Sequence, residues 1–312
     1  DEAGAGVEML AMDAVQLQST PFRARRIVAR LETSTVMYHS TNLRLRTRTH
    51  VRADLLAFVT FGPRARGTVN GLPVHAGLLL AVEPGAEVAF VTGDGWESIT
   101  FLVPPQVVEE DLSVRQRESV FRLPDGVETL TVDEARARDL FSWGKRLTEA
   151  AERQPALFNE VLAERVAAEV DMLETLLTAL SVASSLEPTR HERLRQGQSR
   201  IVKTAEALAL EHADVRLRVT DLCRAAAVSE RTLECAFKDV LGLTPVAYLN
   251  RLRLHRVRAA LLAGSPRSTT VSEEAMKWGF WHFGDFSRAY KSCFGEAPSD
   301  TLRRRRGEPQ AP

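Results

Sequence analysis

Cysteine is nearly missing from this chain. There are three, Cys223, Cys235 and Cys293, among 312 residues, and none stands at a paired spacing. That excludes a disulfide scaffold and a structural zinc knuckle and suits a reducing compartment, so the expected location is the cytoplasm. Long apolar runs are missing too. No stretch approaches the ~20 residues that a bilayer-spanning helix needs. The opening residues DEAGAGVEMLAMD carry no secretory hydrophobic segment and read as a loose end. No membrane partner is expected. Histidine is sparse: seven in all, and His39, His50 and His75 of the N-terminal part stand apart, with no H-x-H pair. A metal centre needs several convergent ligands. No metal and no other cofactor is therefore expected, and each of these histidines reads as a surface or pocket-edge residue.

Net charge is also lacking, with 41 Lys and Arg against 41 Asp and Glu. The balance hides an asymmetry. Residues 199–312 carry 19 basic against 13 acidic side chains, and the remainder carries 22 against 28. A positive C-terminal part beside a negative N-terminal part fits a nucleic-acid reader joined to something else.

What is present is a repeat. VTDLCRAAAVSERTLECAFKDVLGLTPVAYL, from Val219 to Leu249, is rewritten as VSEEAMKWGFWHFGDFSRAYKSCFGEAPSDTL, from Val271 to Leu302, with one residue inserted. A repeat held over some 30 residues is the mark of a duplicated supersecondary unit. Each copy reads as a short helix, a turn and a second helix of about 11 residues. Thr220 and Ser272 are candidate N-caps, each followed by an acidic residue. The turns fall at Ala227-Val228-Ser229 and Gly279-Phe280-Trp281. Leu233, Ala236, Phe237, Val240 and Leu241 recur at helical spacing as a buried stripe, matched by Phe286, Ala289, Tyr290, Cys293 and Phe294. Gly242 and Gly295 stand where a helix C-cap is wanted, and Pro245 and Pro298 suit the first turn of the next helix.

The opposite faces show Arg231, Thr232, Glu234, Cys235 and Lys238 in the first copy. The second shows His282, Phe283, Gly284, Asp285, Ser287, Arg288 and Lys291. A helix laid in the major groove needs such side chains to read base edges. Arg231 and Arg288 suit guanine, Glu234 and Asp285 could accept from cytosine N4, and Lys238 and Lys291 suit phosphates. For one copy alone, an ordinary solvated helix face explains the pattern as well; for two linked copies it does so poorly. The helix between the copies, Val246 to Leu262, crowded with Arg251, Arg253, Arg256 and Arg258, would set the distance between two readers before ending at Gly264-Ser265-Pro266. Arg303 to Arg306 close the chain as a phosphate contact or a solvated tail.

The tandem helix-turn-helix, the F-K and Y-K steps, and the L-G-L-T-P and F-G-E-A-P-S junctions resemble the AraC/XylS family of transcription regulators. The resemblance spans about Ser199 to Arg306. It implies a seven-helix DNA-binding domain with both recognition helices in successive major-groove segments. Two positions depart from expectation. Glu274 stands where the first copy has Leu222, and a buried carboxylate there would loosen or rotate its helix. Cys235 takes a place where the family often has a larger polar reader.

From about Phe22 to Val108 the pattern changes to short strands bounded by Gly, Pro, Asn or Asp. Val69-Asn70-Gly71-Leu72 is a tight-hairpin signal. Seven or eight antiparallel strands at this spacing suggest a small barrel or sandwich, and their order is similar to the cupin-like barrel that the resemblance implies. Arg44, Arg46, Arg48 and Arg52 recur at period two, with Arg64 and Arg66 following. The plain reading is a solvated outer face. The sharper one is an anion site built on Arg44, Arg46, Arg48, Arg64 and Arg66, whose guanidinium forks hold carboxylate or phosphate. An apolar ligand would instead lie among Val59, Phe61, Leu80, Val82, Phe90 and Phe101, if these are not simply core.

Val132 to Ser184 reads as helical, with Asp133 as a cap. Val166, Val170, Leu173, Leu177 and Leu180 make a heptad seam, facing either the chain's own barrel or a twin subunit. Ser184 to Gln198 is polar and reads as a linker. The expectation is thus an α+β protein: residues 1–184 a cupin-like sensor and dimerisation domain, 185–198 a linker, and 199–312 an AraC-type DNA-binding domain. The expected function is a non-enzymatic, dimeric transcription regulator of promoter DNA, with RNA polymerase and a small-molecule effector as further partners. The rivals are a cupin-type enzyme, weakened by the missing ligand cluster, and a non-specific DNA-binding protein, weakened by the modest charge and by Glu234 and Asp285.

Overall fold

In the computed structural model, residues 9–19, 23–114, 122–212, 217–264 and 269–303 are described. The opening residues to 8, Ser265-Pro266 and Arg304 to Arg306 lie outside them. The chain divides into two units, one built mainly from residues up to Arg190 and one mainly from His191 onward. The second also takes in Ala14–Pro21 and Leu43–Arg46. Among the described residues no helix is long and apolar enough to cross a membrane.

Apart from Ala14–Gln16 of β1 and Leu45–Arg46 of β4, which the second unit takes in, the first unit carries β1 (Leu10–Gln16), β2 (Ala24–Arg30), β3 (Thr35–Thr41), β4 (Leu45–Val51), β5 (Leu56–Phe61), β6 (Gly67–Val69), β7 (Leu72–Pro73), β8 (Leu78–Val82), β9 (Glu87–Thr92), β10 (Trp96–Val103), β11 (Val127–Thr131) and β12 (Ser184–Ser185). Its helices are α1 (Pro105–Val114), α2 (Glu134–Arg153), α3 (Pro155–Glu160) and α4 (Leu162–Leu180). The strands form two sheets, ordered β1-β4-β9-β6-β7 and β12-β11-β8-β5-β10-β3-β2. Leu10, Val51, Val69 and Val88 of the first sheet and Met37, Ala57, Val59 and Val82 of the second share one apolar core. The strands exceed the seven or eight expected because β1, β11 and β12 lie outside the stretch read as strands, and the Asn70-Gly71 turn splits off two short ones. Asn70 (φ 48°) and Gly71 (φ 88°) are both left-handed, as a two-residue turn of this twist requires.

Alternation along the strands explains the layering. Ala57, Val59 and Phe61 of β5 point between the sheets with Leu80, Val82 and Val88. Leu56 and Phe58 point the other way, onto Leu140 and Phe141 of α2 and Met172, Leu173 and Leu176 of α4. Phe101, expected beside Val59, belongs to this helix-covered face; the period of two fixes which residues share a face, not which face is the interior. The heptad seam also divides. Leu173, Leu177 and Leu180 are buried in their own unit, while Val166 and Val170 are exposed.

Gly144 of α2 sits where this packing is closest. A Cβ there would lie 2.6 Å from Ile99 Cγ2 and 3.2 Å from Phe101 Cζ. Ile99 is β-branched and fully buried, so it has little room to give. Gly144→Ala is expected to destabilise this unit by about 1–2 kcal/mol, overpacking outweighing the better helix propensity of alanine. A lowered urea midpoint at unchanged slope would register it.

The second unit holds seven helices among the described residues: α5 (Arg190–Glu211), α6 (Val219–Ala226), α7 (Glu230–Leu241), α8 (Pro245–Ala263), α9 (Val271–Lys277), α10 (Phe283–Phe294) and α11 (Pro298–Arg303). The stretch expected as linker is helical from Arg190, because RHERLRQ is rich in good helix formers and the Cβ position of Gly197 is open. α6 and α9 begin before the caps read from sequence. Thr270 Oγ1 accepts from Glu273 N–H (3.2 Å), and the Glu273 carboxylate accepts from Thr270 N–H (2.9 Å). In the first copy Asp221 accepts from Arg218 N–H at 2.9 Å. The acidic residue closes a capping box from the third helical position, which moves the start two residues upstream.

Glu274 does not loosen its helix. It is buried, and Oε1 accepts from Lys277 Nζ at 2.7 Å and Thr269 Oγ1 at 2.9 Å. Burial pushes its pKa up, but these two donors outweigh that and hold it below the usual range.

Candidate nucleic-acid interface

Both copies form the helix-turn-helix that their sequences imply. Each turn is set by a left-handed residue, Ala227 at φ 53° and Gly279 at φ 79°. Ser229 caps α7, its Oγ accepting from Thr232 N–H at 3.2 Å. Gly242 (φ 72°) and Gly295 (φ 76°) end α7 and α10 in the left-handed region, and Pro245 and Pro298 open the following helices. Leu233, Ala236, Phe237 and Leu241 are buried, as are Phe286, Tyr290 and Cys293.

α8 enters both cores. Tyr248 stacks near Phe237 (ring centroids 5.7 Å apart) in the first copy, and Leu254, Val257 and Leu261 pack with Phe286 and Tyr290 in the second. One helix of 19 residues, about 28 Å long, thereby carries both copies. Its arginines are not a uniform basic face. Arg258 pairs with Glu296 at 2.7 Å and lies over the Phe294 ring, and Arg251 donates to the Gln16 carbonyl at 3.2 Å.

The side chains assigned to base and phosphate contact all emerge on the open face. Arg231, Thr232, Glu234, Cys235 and Lys238 of α7 are exposed. So are His282 and, on α10, Gly284, Asp285, Ser287, Arg288 and Lys291. The two N-caps, Ser229 and His282, fix how the copies align. Arg231 then corresponds to Gly284 and Cys235 to Arg288, so the reader arginines stand one helical turn apart. Arg288 is ion-paired with Asp285 in the same helix. Arg303 pairs with Asp300 at 3.3 Å.

Residues 222–304 match the model of a helix-turn-helix domain family. The chain is 36% identical over 147 residues to the "Probable thc operon regulatory protein" of Rhodococcus erythropolis, a match covering 46% of this chain and 44% of that protein. It is 41% identical over 85 residues to XylDLEGF operon transcriptional activator 1 of Pseudomonas putida, covering 27% and 26%. The chain thus spans less than half the length of these curated relatives. A solved transcriptional regulator with an AraC-type DNA-binding domain, from Chromobacterium violaceum, is 28% identical and covers 34% of this chain and 92% of its own, at a TM-score of 0.32.

The C-terminal domain belongs to the AraC/XylS family. Its seven helices and duplicated reader are those the family resemblance implies, and the chain as a whole is α+β.

The arginines read as an anion site do not converge. Arg46 is the most enclosed of them. Its Nη2 lies 2.7 Å from Glu206 Oε2 and its Nε 3.1 Å from Oε1, with both side chains at most 2% exposed. Glu206 also accepts from the Tyr248 hydroxyl. This buried cluster lies within the AraC/XylS-type unit. Arg48 donates to Glu87 at 2.6 Å, Arg44 to the Val240 carbonyl at 3.2 Å, and Arg52 pairs with Asp54. Arg64 and Arg66 lie on an exposed turn after β5. Strand periodicity predicts a shared face for Arg44, Arg46 and Arg48 but not their separate acceptors.

The β unit has instead a cavity of about 70 Å³, open to solvent at one side. Met37, Val59, Val82, Phe90 and Trp96 make its wall apolar, Thr47, Thr49 and Ser98 add hydroxyls, and Arg26 and His39 bring the titratable groups. Trp96 is braced edge-on by Phe61 and Phe90, with centroids 5.5 and 5.8 Å away. Arg26 reaches Met12 Sδ at the exposed side. Burial, then the Arg26 charge, lowers the His39 pKa to about 4, so at neutral pH Arg26 is the cavity's cation.

The same shift predicts acid sensitivity. Unfolded, His39 takes a proton near pH 6.5; folded, it resists down to about 4. The stability gained by keeping it neutral is complete above pH 6.5 and declines as pH falls toward 4, by about 3 kcal/mol. Urea midpoints at pH 7 and pH 4.5 should differ less for His39→Asn than for the parent.

Proposed function

We propose that this chain is a sequence-specific transcription regulator that reads promoter DNA through α7 and α10 and is controlled through its β domain. The single observation that carries this is the pairing of two helix-turn-helix copies on α8, each exposing the side chains that major-groove readout uses. Its relatives are named as an operon regulatory protein and an operon transcriptional activator. Residues 1–184 act as the sensor and dimerisation part and residues 199–312 as the reader.

The cavity at Arg26 and His39 holds the effector, a small, largely apolar molecule with room for one anionic group beside Arg26. Leu162, Val166 and Val170 recur every four residues as an exposed apolar stripe on α4, which a twin subunit covers in a homodimer. The effector shifts the population of dimers whose readers can meet two half-sites together. RNA polymerase is the further partner at the promoter, and the chain itself catalyses no reaction.

Sequencing of genomic fragments retained by the purified full-length chain tests this reading. It predicts a small set of sites sharing a two-part motif, with parts about one duplex turn apart. Even coverage of the genome would overturn it.

A further inference from the structure

The second copy presents its reading helix differently from the first, and the difference is apolar. Ala227-Val228 correspond to Gly279-Phe280, and the capping residues Ser229 and His282 correspond in turn. The single residue inserted within the second copy is therefore Trp281. Its side chain is 66% exposed, and Phe283, the first residue of α10, is 42% exposed. An indole left in water forgoes the burial that stabilises most large apolar side chains.

The turn is nonetheless fixed. Phe280 packs onto Phe286 with ring centroids 5.0 Å apart, Phe280 N–H donates to the Ala275 carbonyl at 2.9 Å, and Gly279 adopts φ 79°. Phe280 points in, and Trp281 is left pointing out. Between Trp281 and Arg288 lies Gly284, whose Cβ position has nothing within 4 Å. Glycine inside a helix costs about 1 kcal/mol, and no neighbour among the described residues calls for it. Where the first copy has Arg231, the second has a bare backbone flanked by two exposed aromatic rings.

We infer that Trp281 and Phe283 make the second copy a reader of thymine, their rings packing on the C5-methyl groups in the major groove while Gly284 lets the first turn of α10 come close to the base edges. Thymine alone offers an apolar group there. The inference rests on the DNA-reading role proposed above, because these rings adjoin the open face of α10. The first copy has Arg231 in the corresponding turn and lacks this apolar contact, while Arg288 of the second copy keeps its guanine one turn further along α10. The operator half met by α10 is accordingly the thymine-rich one.

The test uses the full-length chain and a duplex that it has itself selected from a randomised pool. Each thymine in turn is replaced by deoxyuridine, which keeps every hydrogen-bonding group and removes only the methyl. Affinity for the parent protein is expected to fall about three- to fivefold at one or two positions in one half of the site, the loss that one buried methyl implies. Trp281→Ala and Phe283→Ala are expected to abolish that sensitivity while leaving guanine readout in the other half intact; both residues are exposed, and melting curves verify the fold. A parent that is sequence-selective yet indifferent to uracil would overturn the inference and leave the DNA-reading role standing. Uracil sensitivity that survives in both variants would overturn it as well. A parent with no preferred duplex would remove the role and the inference together.

Discussion

Replacing Arg231 and Arg288 together by alanine is expected to leave a protein that still binds duplex DNA but no longer tells its target from unrelated sequence. Both side chains are exposed, so their removal should not disturb folding. A bidentate arginine–guanine contact discriminates by about 1–3 kcal/mol. Losing two, on different turns of different helices, should cost on the order of 10²- to 10⁴-fold in selectivity, with near additivity because the sites are separate. Binding at low salt should persist through Lys238, Lys291 and the other cations, since phosphate contacts position the protein without choosing sequence. Salt dependence should change little. Each single variant should relax the base preference of one half-site only.

The second large effect concerns stability. Glu206→Ala deprives the buried Arg46 of its bidentate partner, in a place where both side chains are shielded from water. Breaking such a pair from one side costs about 3–5 kcal/mol, because a charge is left in a low-dielectric site. It also removes the acceptor of the Tyr248 hydroxyl, and Tyr248 belongs to the core of the first copy. The melting transition of the C-terminal unit should fall by on the order of 15 °C. Replacement of Arg46 and Glu206 together by methionine and leucine should cost far less than Glu206→Ala, since an apolar pair of similar volume leaves no stranded charge. A loss below 1 kcal/mol for the single variant would mean that the pair is not sealed from solvent.

How much of this was legible in the sequence depends on the range of the interaction. The helix-turn-helix copies rest on local rules: apolar spacing near 3.6 residues, glycine at Gly242 and Gly295, proline at Pro245 and Pro298. All of these held in the structure. The exposed readers followed by subtraction, since the face opposite Leu233, Phe237, Phe286 and Tyr290 had to be open. The Asn70-Gly71 hairpin is equally local.

What depended on tertiary cover was not legible. Period two places Arg44, Arg46 and Arg48 on one face, but Glu206 lies 160 residues away from Arg46, and no pattern links them. The 4-3-4-3 spacing from Val166 to Leu180 marks one face of α4 but does not say that its first half is bare and its second half buried. The turn insertion could be counted from the repeat, yet only the caps on α7 and α10 identify it as Trp281. Glu274 reads as a flaw until Lys277 and Thr269 are seen around it.

The most direct test of the central claim is a competition titration. Full-length chain bound to its best selected duplex is challenged, at one fixed near-physiological salt concentration, with unlabelled duplex of the same length and composition in scrambled order. Two readers on one spacer predict that at least a thousandfold excess of the scrambled duplex is needed to displace half of the target. Displacement at equal concentrations would contradict the account, because the exposed faces of α7 and α10 would then be holding DNA without reading it.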